Sequence, residues 1–593
     1  MRLTVVSKWP RRTWILREFS TAARISQTGD TRDTGALAPS VKTQCPSVTG
    51  SGARARSTNA ILHEDIFDGS TTTVRPWEEV PGPKPLPLVG NTWRFIPYVG
   101  GYSVRHVDKV CTALWRQYGR CVRLAGLLGR PDMLFVFDAA EVERVFRSED
   151  GTPSQTIDAF SKLLQARVEK GFFWSRGKLR RSYRSVNICI ITADKPKLNN
   201  FRHGESWAVF RAKVARVVLS AGAALRYAQQ VADVADDFIQ RVREVRTSEM
   251  ETPGDILNEI HKWSLESLGL IALDTRLGCF HAKEGKKFGK RALDRSREYI
   301  FLCVGDLELR APWWRLYPTK TFKRYIAALD TILRCSISVN PLESIFNHLD
   351  RDSSWRGRFE GQRITLQHVD RSLKLTNSKT SLLNQLVAAA GPRVATVAAL
   401  DMFLVGIDTT SNAVASILYQ LSLRPEVQER LFEEISSVLQ GRTLQPGDLA
   451  QMPYLKACVK EVLRMYPVVI GNGRQLTKDT IICGYNIPKG TQVIFQHYVM
   501  GNSDEYFTEA SEFRPERWLS RQPGDRHHAF ASLPFGYGKR MCLGRRFAEL
   551  EIQTVVCKMI QAFRMSYDHE LLDYHIHPMY TPDGPIRLTL VDR

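Results

Sequence analysis

The chain has 593 residues, of which 43% are hydrophobic and 24% charged, an ordinary globular composition that can bury a large core. Its formal net charge of +21 suits an acidic protein partner or an anionic membrane surface, with a generally basic, solvated surface as the alternative. The sequence contains no zinc finger, RNP motif or basic repeat, so we expect no nucleic-acid partner. The eleven cysteines are scattered without a C-x-x-C pair, which argues against a zinc site or disulfide framework and favours a reducing compartment.

The first 70 residues are predicted to be a targeting leader. Residues 1–60 contain ten Lys or Arg but only three acids, and they are rich in Ser and Thr. Residues 1–24 can form a basic amphipathic helix interrupted at Pro10, which is typical of a mitochondrial transit peptide. No run of about 18 apolar residues occurs there, so we expect no membrane-spanning anchor. The alternative is a basic tail without a targeting function.

The folded body is predicted to cover residues 71–593, beginning near the proline-rich segment 80–87. Residues 104–150 are typical of a helix followed by a strand pair at 122–124 and 134–137. Residues 204–341 are predicted to be mostly helical, and the last third to mix helices with short strands, ending in a strand at 586–591. The predicted fold class is therefore mainly α with small β-sheets, in one large domain.

A long apolar segment at residues 394–421 is predicted to be a helix with unusual residues at its centre. Gly406 costs about 1 kcal/mol relative to Ala inside a helix. Asp408 and Thr409 would each cost a few kcal/mol if they were buried without partners. These residues are explained if the helix lines a site that handles dioxygen and protons. The alternative is an ordinary core helix in which the Thr409 hydroxyl bonds its own preceding turn.

Residues 535–544, with the sequence FGYGKRMCLG, form the most informative motif. An aromatic residue, Phe535, precedes a glycine-rich turn, Arg540 and a single Cys542, and Gly544 then opens a helix. Such a loop presents one thiolate as the axial ligand of a haem iron, because a thiolate donates electron density that favours O–O cleavage. Unpaired N–H groups at the helix start would stabilise the anionic sulfur. The alternative is a buried structural cysteine at a turn.

This F-x-x-G-x-R-x-C-x-G pattern resembles the haem-binding loop of the cytochrome P450 family. The resemblance spans about residues 75–593, and the sequences of segments 75–87, 534–538 and 579–585 look like those of arthropod members. The resemblance implies haem b with Cys542 as axial thiolate ligand and a haem-thiolate monooxygenase. The enzyme would insert one oxygen atom of O2 into a lipophilic small molecule: a steroid such as an ecdysteroid, a cuticle precursor or a xenobiotic. Asp408 and Thr409 would manage protons, although Val405 stands where the family usually has Ala or Gly. The alternatives are a non-catalytic haem-binding protein and a haem-thiolate enzyme that rearranges peroxides.

The resemblance also assigns structural roles and two insertions. The haem would be seated by a set of residues in which the propionate-binding arginines are central: Trp207, Arg211, Arg474, Phe535, Arg540, Cys542 and Gly544. A buried ionic cluster behind the cysteine would be formed by Glu461, Arg464 and Arg517. Residues 174–202 and 346–375 depart from the family plan and are predicted insertions, with a retained intron as the alternative for the first.

A basic face is predicted around the cysteine loop, formed by Lys456, Lys460, Lys539, Arg545 and Arg546. In the mitochondrial class that the chain resembles, such a face receives an acidic 2Fe–2S ferredoxin, which an NADPH-dependent ferredoxin reductase reduces. The expected location is the matrix side of the mitochondrial inner membrane, with peripheral membrane association. A solvated basic surface without a partner is the alternative.

Overall fold

The structure is a computed structural model that describes residues 74–149, 204–280, 319, 320, 323, 381–519 and 527–593, apart from positions 97, 129, 221, 577 and 578. Contacts divide the chain after residue 70, and the description concerns the second unit, residues 71–593. The predicted leader at 1–70 and the predicted insertions at 174–202 and 346–375 lie outside the described residues.

The predicted fold class, mainly α with small β-sheets, is confirmed. Eleven α-helices lie within the described ranges. They are α1 Val107–Tyr118, α2 Ala139–Arg147, α3 Gly204–Val218, α4 Ala228–Val245, α5 Leu257–Leu273, α6 Leu382–Ala390, α7 Pro392–Ser422, α8 Pro425–Leu439, α9 Pro453–Met465, α10 His497–Gly501 and α11 Arg545–Ala562.

The strands form one four-stranded sheet and three two-stranded ones. They are β1 Cys121–Leu124, β2 Met133–Val136, β3 Asn472–Gln475, β4 Thr480–Ile482, β5 Tyr485–Ile487, β6 Gln492–Phe495, β7 Phe563–Ser566, β8 Tyr574–Ile576, β9 Tyr580–Pro582 and β10 Thr589–Asp592. The larger sheet has the order β1-β2-β6-β3, with β2 and β6 parallel and the other pairs antiparallel. The predicted strand pair is therefore confirmed as β1 and β2, whereas the last strand begins three residues later than predicted.

The four-stranded sheet matters for the site because it joins distant parts of the chain. Arg474 on the edge strand β3 pairs in register with Val493 on β6, and β6 pairs with β2. Helix α2 follows β2 directly, and the Asp138 side chain caps it by accepting hydrogen bonds from Ala140 and Glu141. As a result, the end of α2 and the β3 strand lie side by side although they are more than 300 residues apart.

The long central helix is confirmed as α7, which spans 31 residues. Pro392 occupies its first turn, where a missing N–H costs nothing. The helix packs against α5, α6 and α11, and its second half, including the buried Tyr419, belongs to the largest hydrophobic core. Among the described residues, no helix is both long and apolar enough to cross a bilayer.

Helix α11 anchors the predicted cysteine loop to the core. Its side chains from Ile552 to Ile560 are largely buried against α4, α7, α8 and α9. Because α11 is fixed on several sides, the loop that leads into it has a rigid base.

Candidate active site

The loop before α11 is held in one conformation by its backbone. Gly536 and Gly538 have φ angles of 69° and 70°, in the left-handed region that residues with a Cβ rarely adopt. The Cys542 N–H donates a hydrogen bond of 2.8 Å to the Phe535 carbonyl and closes the loop. A Cβ at Gly536 would lie only 3.3 Å from Asn472 Oδ1, so the turn also packs closely against β3. Cys542 is thereby placed two residues before Gly544, the N-cap of α11.

The surroundings of the Cys542 sulfur oppose a thiolate in the protein alone. Solvent reaches the side chain, yet enough protein surrounds it that desolvation raises the pKa of the thiol. A backbone hydrogen bond from Gly544 and the charges of Arg211 and Arg545 lower the pKa, but they do not outweigh desolvation. The N–H group at the start of α11 therefore stabilises the Cys542 thiolate as expected, but too weakly to lower the pKa of the thiol below its ordinary value. A bound metal cation would supply the missing charge, because coordination deprotonates a thiol.

Three arginines lie on one side of this loop, and we call Arg211, Arg474 and Arg540 the arginine cage. Trp207 and Arg211 are one turn apart on α3, and Trp207 is buried. The Arg540 guanidinium stacks on the Trp207 ring, with 3.5 Å between Cζ and the ring centroid. Arg211 Nη2 donates a 2.6 Å hydrogen bond to the carbonyl of Met541, next to the cysteine.

The arginine cage carries more positive than negative charge. Arg474 Nε donates to a carboxylate oxygen of Glu149, which follows α2. Burial, together with the charges of Arg474 and Arg211, lowers the pKa of Arg540 to about 9, and the charge of Glu149 opposes this shift only in part. Three clustered guanidinium groups facing one carboxylate are suited to a ligand with carboxylates of its own.

The centre of α7 carries Asp408 and Thr409, and Asp408 has a partner that the sequence did not indicate. Asp408 is 9% exposed, and its Oδ1 lies 3.4 Å from Nε2 of His261 on α5. Thr409 Oγ1 donates a 2.8 Å hydrogen bond to the carbonyl of Val405, one turn earlier. This is the bonded arrangement considered as the alternative, and in it the hydroxyl oxygen is left as an acceptor.

Gly406 also has a packing reason. A Cβ at this position would lie 2.9 Å from Leu268 Cδ1 on α5. The missing side chain therefore lets α5 and α7 approach each other closely, and the dioxygen role of Gly406 stays a prediction. Val405, by contrast, is 40% exposed, so its side chain lies outside the packed core.

The predicted ionic cluster behind the loop is assembled, and we call Glu461, Arg464 and Arg517 the Glu461 cluster. Glu461 Oε1 lies 2.8 Å from Arg464 Nη2 and 3.0 Å from Arg517 Nε, and all three side chains are buried. Trp518 Nε1 donates to Glu461 Oε2 at 2.9 Å, and the Arg514 N–H donates to Oε1 at 3.0 Å. Arg464, the Arg514 N–H and Arg517 keep the pKa of Glu461 below its ordinary value despite burial.

The remaining guanidinium hydrogens of the Glu461 cluster bond backbone carbonyls. Arg464 Nη1 donates to the carbonyls of Gly501 and Ala510, at 2.5 and 2.9 Å. Arg517 donates to the carbonyls of Thr508 and Glu509, at 2.7 and 3.1 Å. The cluster thus ties α9 to the 501–518 segment.

The structure separates the predicted basic face into exposed and tethered members. Lys460, Lys539, Arg545 and Arg546 are exposed. Lys456 is half-buried, and its Nζ donates a 3.1 Å hydrogen bond to the Ala450 carbonyl. Arg545 forms an ion pair of 2.9 Å with Glu549 one turn later, and this carboxylate weakens the attraction of Arg545 for an acidic partner.

Comparison with known proteins identifies the family. The family model "Cytochrome P450" matches residues 192–578. The chain is 37% identical to "Probable cytochrome P450 301a1, mitochondrial" of Drosophila melanogaster, over 94% of this chain and 98% of that protein. It is 38% identical to "Probable cytochrome P450 49a1" of the same organism, over 91% and 87%. Identity to "Probable cytochrome P450 12a5, mitochondrial", also from D. melanogaster, is 29% over 93% and 98%.

The protein belongs to the cytochrome P450 family, as the cysteine-loop resemblance indicated. It is a monooxygenase whose cofactor is iron protoporphyrin IX with a cysteine thiolate ligand. The geometry fits this group: the surplus positive charge of the arginine cage suits two haem propionates, and the unmet charge requirement of Cys542 suits the iron.

Three contacts of the site were missed from the sequence, those of Glu149, His261 and Trp518. Glu149 lies 325 residues before Arg474, and His261 lies 147 residues before Asp408. Neither belongs to a motif, so no local signal marks them. The Trp518 contact to Glu461 could have been found, because Trp518 directly follows Arg517.

Proposed function

We propose that Cys542 is the axial ligand of the haem and that the arginine cage holds its propionates, with Trp207 supporting Arg540. Phe535 and Gly544 would complete the seat by fixing the two ends of the cysteine loop. Bound in this way, the haem supplies the centre at which O2 is reduced and one oxygen atom is inserted into a C–H bond of a lipophilic substrate. The observation that carries this proposal is the net positive cage beside the cysteine loop, where Arg211 donates to the Met541 carbonyl next to Cys542. It is supported by the chain's family membership.

Protons for this reaction would be managed on α7 and α5. We infer that Asp408 holds a proton for delivery and that His261, with 18% of its side chain exposed, connects Asp408 to solvent. Thr409 accepts a hydrogen bond at Oγ1 while its own hydrogen is held by Val405. To donate instead, it must break that bond, at a cost of about 1 kcal/mol. This acid–alcohol pair favours O2 activation over peroxide rearrangement.

The proton role of Thr409 is tested with Thr409→Ala, expressed with haem and supplied with a ferredoxin chain and a lipophile panel. We expect NADPH consumption to continue while product per NADPH falls several-fold and hydrogen peroxide rises. Thr396→Ala is the matched control, because Thr396 makes the same bond to a carbonyl four residues earlier on α7. Equal coupling in both variants would remove Thr409 from the proton route.

The haem ligation itself has a separate test. Reduced protein with carbon monoxide should show the red-shifted Soret band of a thiolate-ligated haem, and Cys542→Ser should lose that band. A band that persists in Cys542→Ser would assign the ligand to another residue. Substrate-binding spectra over sterols, ecdysteroids, fatty acids and xenobiotics would then identify the substrate class.

The exposed members of the basic face would dock an acidic 2Fe–2S ferredoxin, which delivers electrons to the haem. Charge complementarity speeds such docking, and its effect falls as salt rises. Lys460→Glu combined with Lys539→Glu should raise the ferredoxin KM several-fold and flatten its salt dependence, without changing the carbon monoxide spectrum. Lys489 is an exposed lysine at the turn between β5 and β6. Lys489→Glu changes the net charge by half as much as the double variant, at a site outside the basic face, and serves as control. Unchanged ferredoxin kinetics in the double variant would refute the docking face.

We further propose that the protein acts in mitochondria, on the matrix side of the inner membrane and in peripheral contact with it. Support comes from the composition of residues 1–70 and from relatives whose names include "mitochondrial". Residues 1–70 fused to a fluorescent reporter should direct it to mitochondria. A diffuse cytosolic signal would contradict the proposal.

A further inference from the structure

Glu149 occupies an unusual position inside the arginine cage. It follows α2, and its side chain is 10% exposed. One carboxylate oxygen, Oε1, accepts the hydrogen bond from Arg474 Nε. The other, Oε2, is buried and has no hydrogen-bond partner among the described residues. A buried carboxylate oxygen without a partner costs about 1–3 kcal/mol, so its retention requires an explanation.

The surroundings of Glu149 place it against the cysteine loop. Its Oε2 lies 3.7 Å from the position of a Cβ on Gly538, so the carboxylate contacts the turn that carries Arg540. Both Arg540 and the exposed Lys539 act on it electrostatically, and Arg474 does so most strongly. Even so, burial raises the pKa of Glu149 above its ordinary value, because desolvation exceeds the effect of these cations.

The charges of the cage suggest why a carboxylate is placed there. The cage contributes three positive charges, and a haem dianion contributes two negative ones through its propionates. Glu149 supplies the third negative charge, so that the loaded cage is neutral. Without it, a buried surplus of one positive charge would remain, and Arg474 would lose the acceptor that orients its guanidinium.

We propose that Glu149 is a haem-positioning residue that orients Arg474, neutralises the loaded arginine cage and so sets the strength of haem binding and the iron potential. Its two effects oppose each other: the carboxylate orients Arg474 toward the haem, and it also repels the propionates. The inference rests on the proposed placement of the propionates in the cage.

Two substitutions at this position separate the two effects. Glu149→Gln keeps an oxygen acceptor for Arg474 but removes the negative charge. We expect it to slow haem transfer to apomyoglobin several-fold, because the repulsion of the propionates is gone. It should also raise the ferric/ferrous midpoint potential, because a nearby negative charge favours the ferric state. Glu149→Ala removes the acceptor as well, and should release haem several-fold faster than Glu149→Gln.

The matched control is Glu143→Gln, which removes the same charge from α2. Glu143 pairs with Arg147 at 2.6 Å, outside the cage. Haem release and potential in this control should equal those of the wild type. Glu149→Gln matching this control in both measurements, or releasing haem faster than the wild type, would overturn the proposal. A wild-type protein without the carbon monoxide band of a thiolate-ligated haem would instead overturn the proposed ligation, so the two failures are distinguishable.

Discussion

The Glu461 cluster and the arginine cage are both built from arginines that are buried or half-buried, but their charges are balanced differently. In the cluster, one carboxylate lies between two guanidinium groups, and the remaining N–H groups reach backbone carbonyls. In the cage, Glu149 is bonded by Arg474 alone among the described residues, and burial with mutual repulsion lowers the pKa of Arg540 to about 9. A cluster whose partners are all protein groups stabilises the fold. One with a larger surplus, two positive charges against the single one of the Glu461 cluster, is suited to an anionic ligand, which distinguishes a binding role from a structural role without reference to any motif.

The largest effect is expected in the cluster, from Glu461→Gln. The substitution leaves Arg464 and Arg517 buried without a counter-charge, which should lower the free energy of unfolding by about 3–5 kcal/mol. Chemical unfolding of the haem-loaded protein measures this. Glu516→Gln is the control, since the exposed ion pair of Glu516 with Arg430 should contribute about 1 kcal/mol or less. A Glu461→Gln protein as stable as the control would show that the cluster does not hold the fold.

The opposite pattern is expected in the cage, from Arg540→Gln. Removing one of three repelling cations should leave the free energy of unfolding of the haem-free protein unchanged or slightly higher. Haem binding should weaken by about 2–3 kcal/mol, the contribution of a hydrogen bond to a charged group. Haem transfer to apomyoglobin and chemical unfolding measure the two quantities. Arg546→Gln, an exposed arginine on α11, should change neither.

A large loss of stability with unchanged haem release in Arg540→Gln would contradict the division between cluster and cage. In that case Arg540 would be part of the scaffold, and its stacking on Trp207 would be a structural contact.

The sequence predicted the cluster better than the cage, for physical reasons. Glu461 and Arg464 are three residues apart on one helix, so their contact follows from helix geometry alone. Arg474 was singled out by the resemblance, yet its partner Glu149 depends on the parallel pairing of β2 with β6, which no local pattern specifies. The same holds for His261 and Asp408, which meet only because α5 packs against α7.

Where a residue serves two purposes, the sequence could not choose between them. Thr409 can bond its own helix turn or the substrate side, and the structure shows the first. Gly406 was predicted to serve dioxygen, and the structure adds its contact with Leu268 of α5 as a second reason for a small residue. That contact depends on the close approach of α5 to α7, which side-chain types alone do not determine.

The smallest predicted effect is a pH dependence of stability that comes from His497, which lies between the Glu461 cluster and the arginine cage. This side chain is buried; its Nε2 lies 2.6 Å from the Val469 carbonyl and its Nδ1 lies 3.2 Å from Asn472 Nδ2. Burial lowers the pKa of His497 from 6.5 to about 4. Between these values the unfolded chain binds more protons than the folded one, so stability must fall as the pH falls. The loss between pH 7 and pH 5 should be about 2 kcal/mol.

His497→Gln isolates this contribution from the other titrating groups. The Gln amide can still donate to the Val469 carbonyl, but it cannot be protonated. We therefore expect the difference in unfolding free energy between wild type and variant to shrink as the pH falls from 7 to 5, in chemical unfolding at several pH values. Since His497 bonds Asn472 on the strand that carries Arg474, acid should also speed haem release more in the wild type than in His497→Gln. If both proteins have the same pH slope, His497 is not the acid-sensitive link between the cluster and the cage.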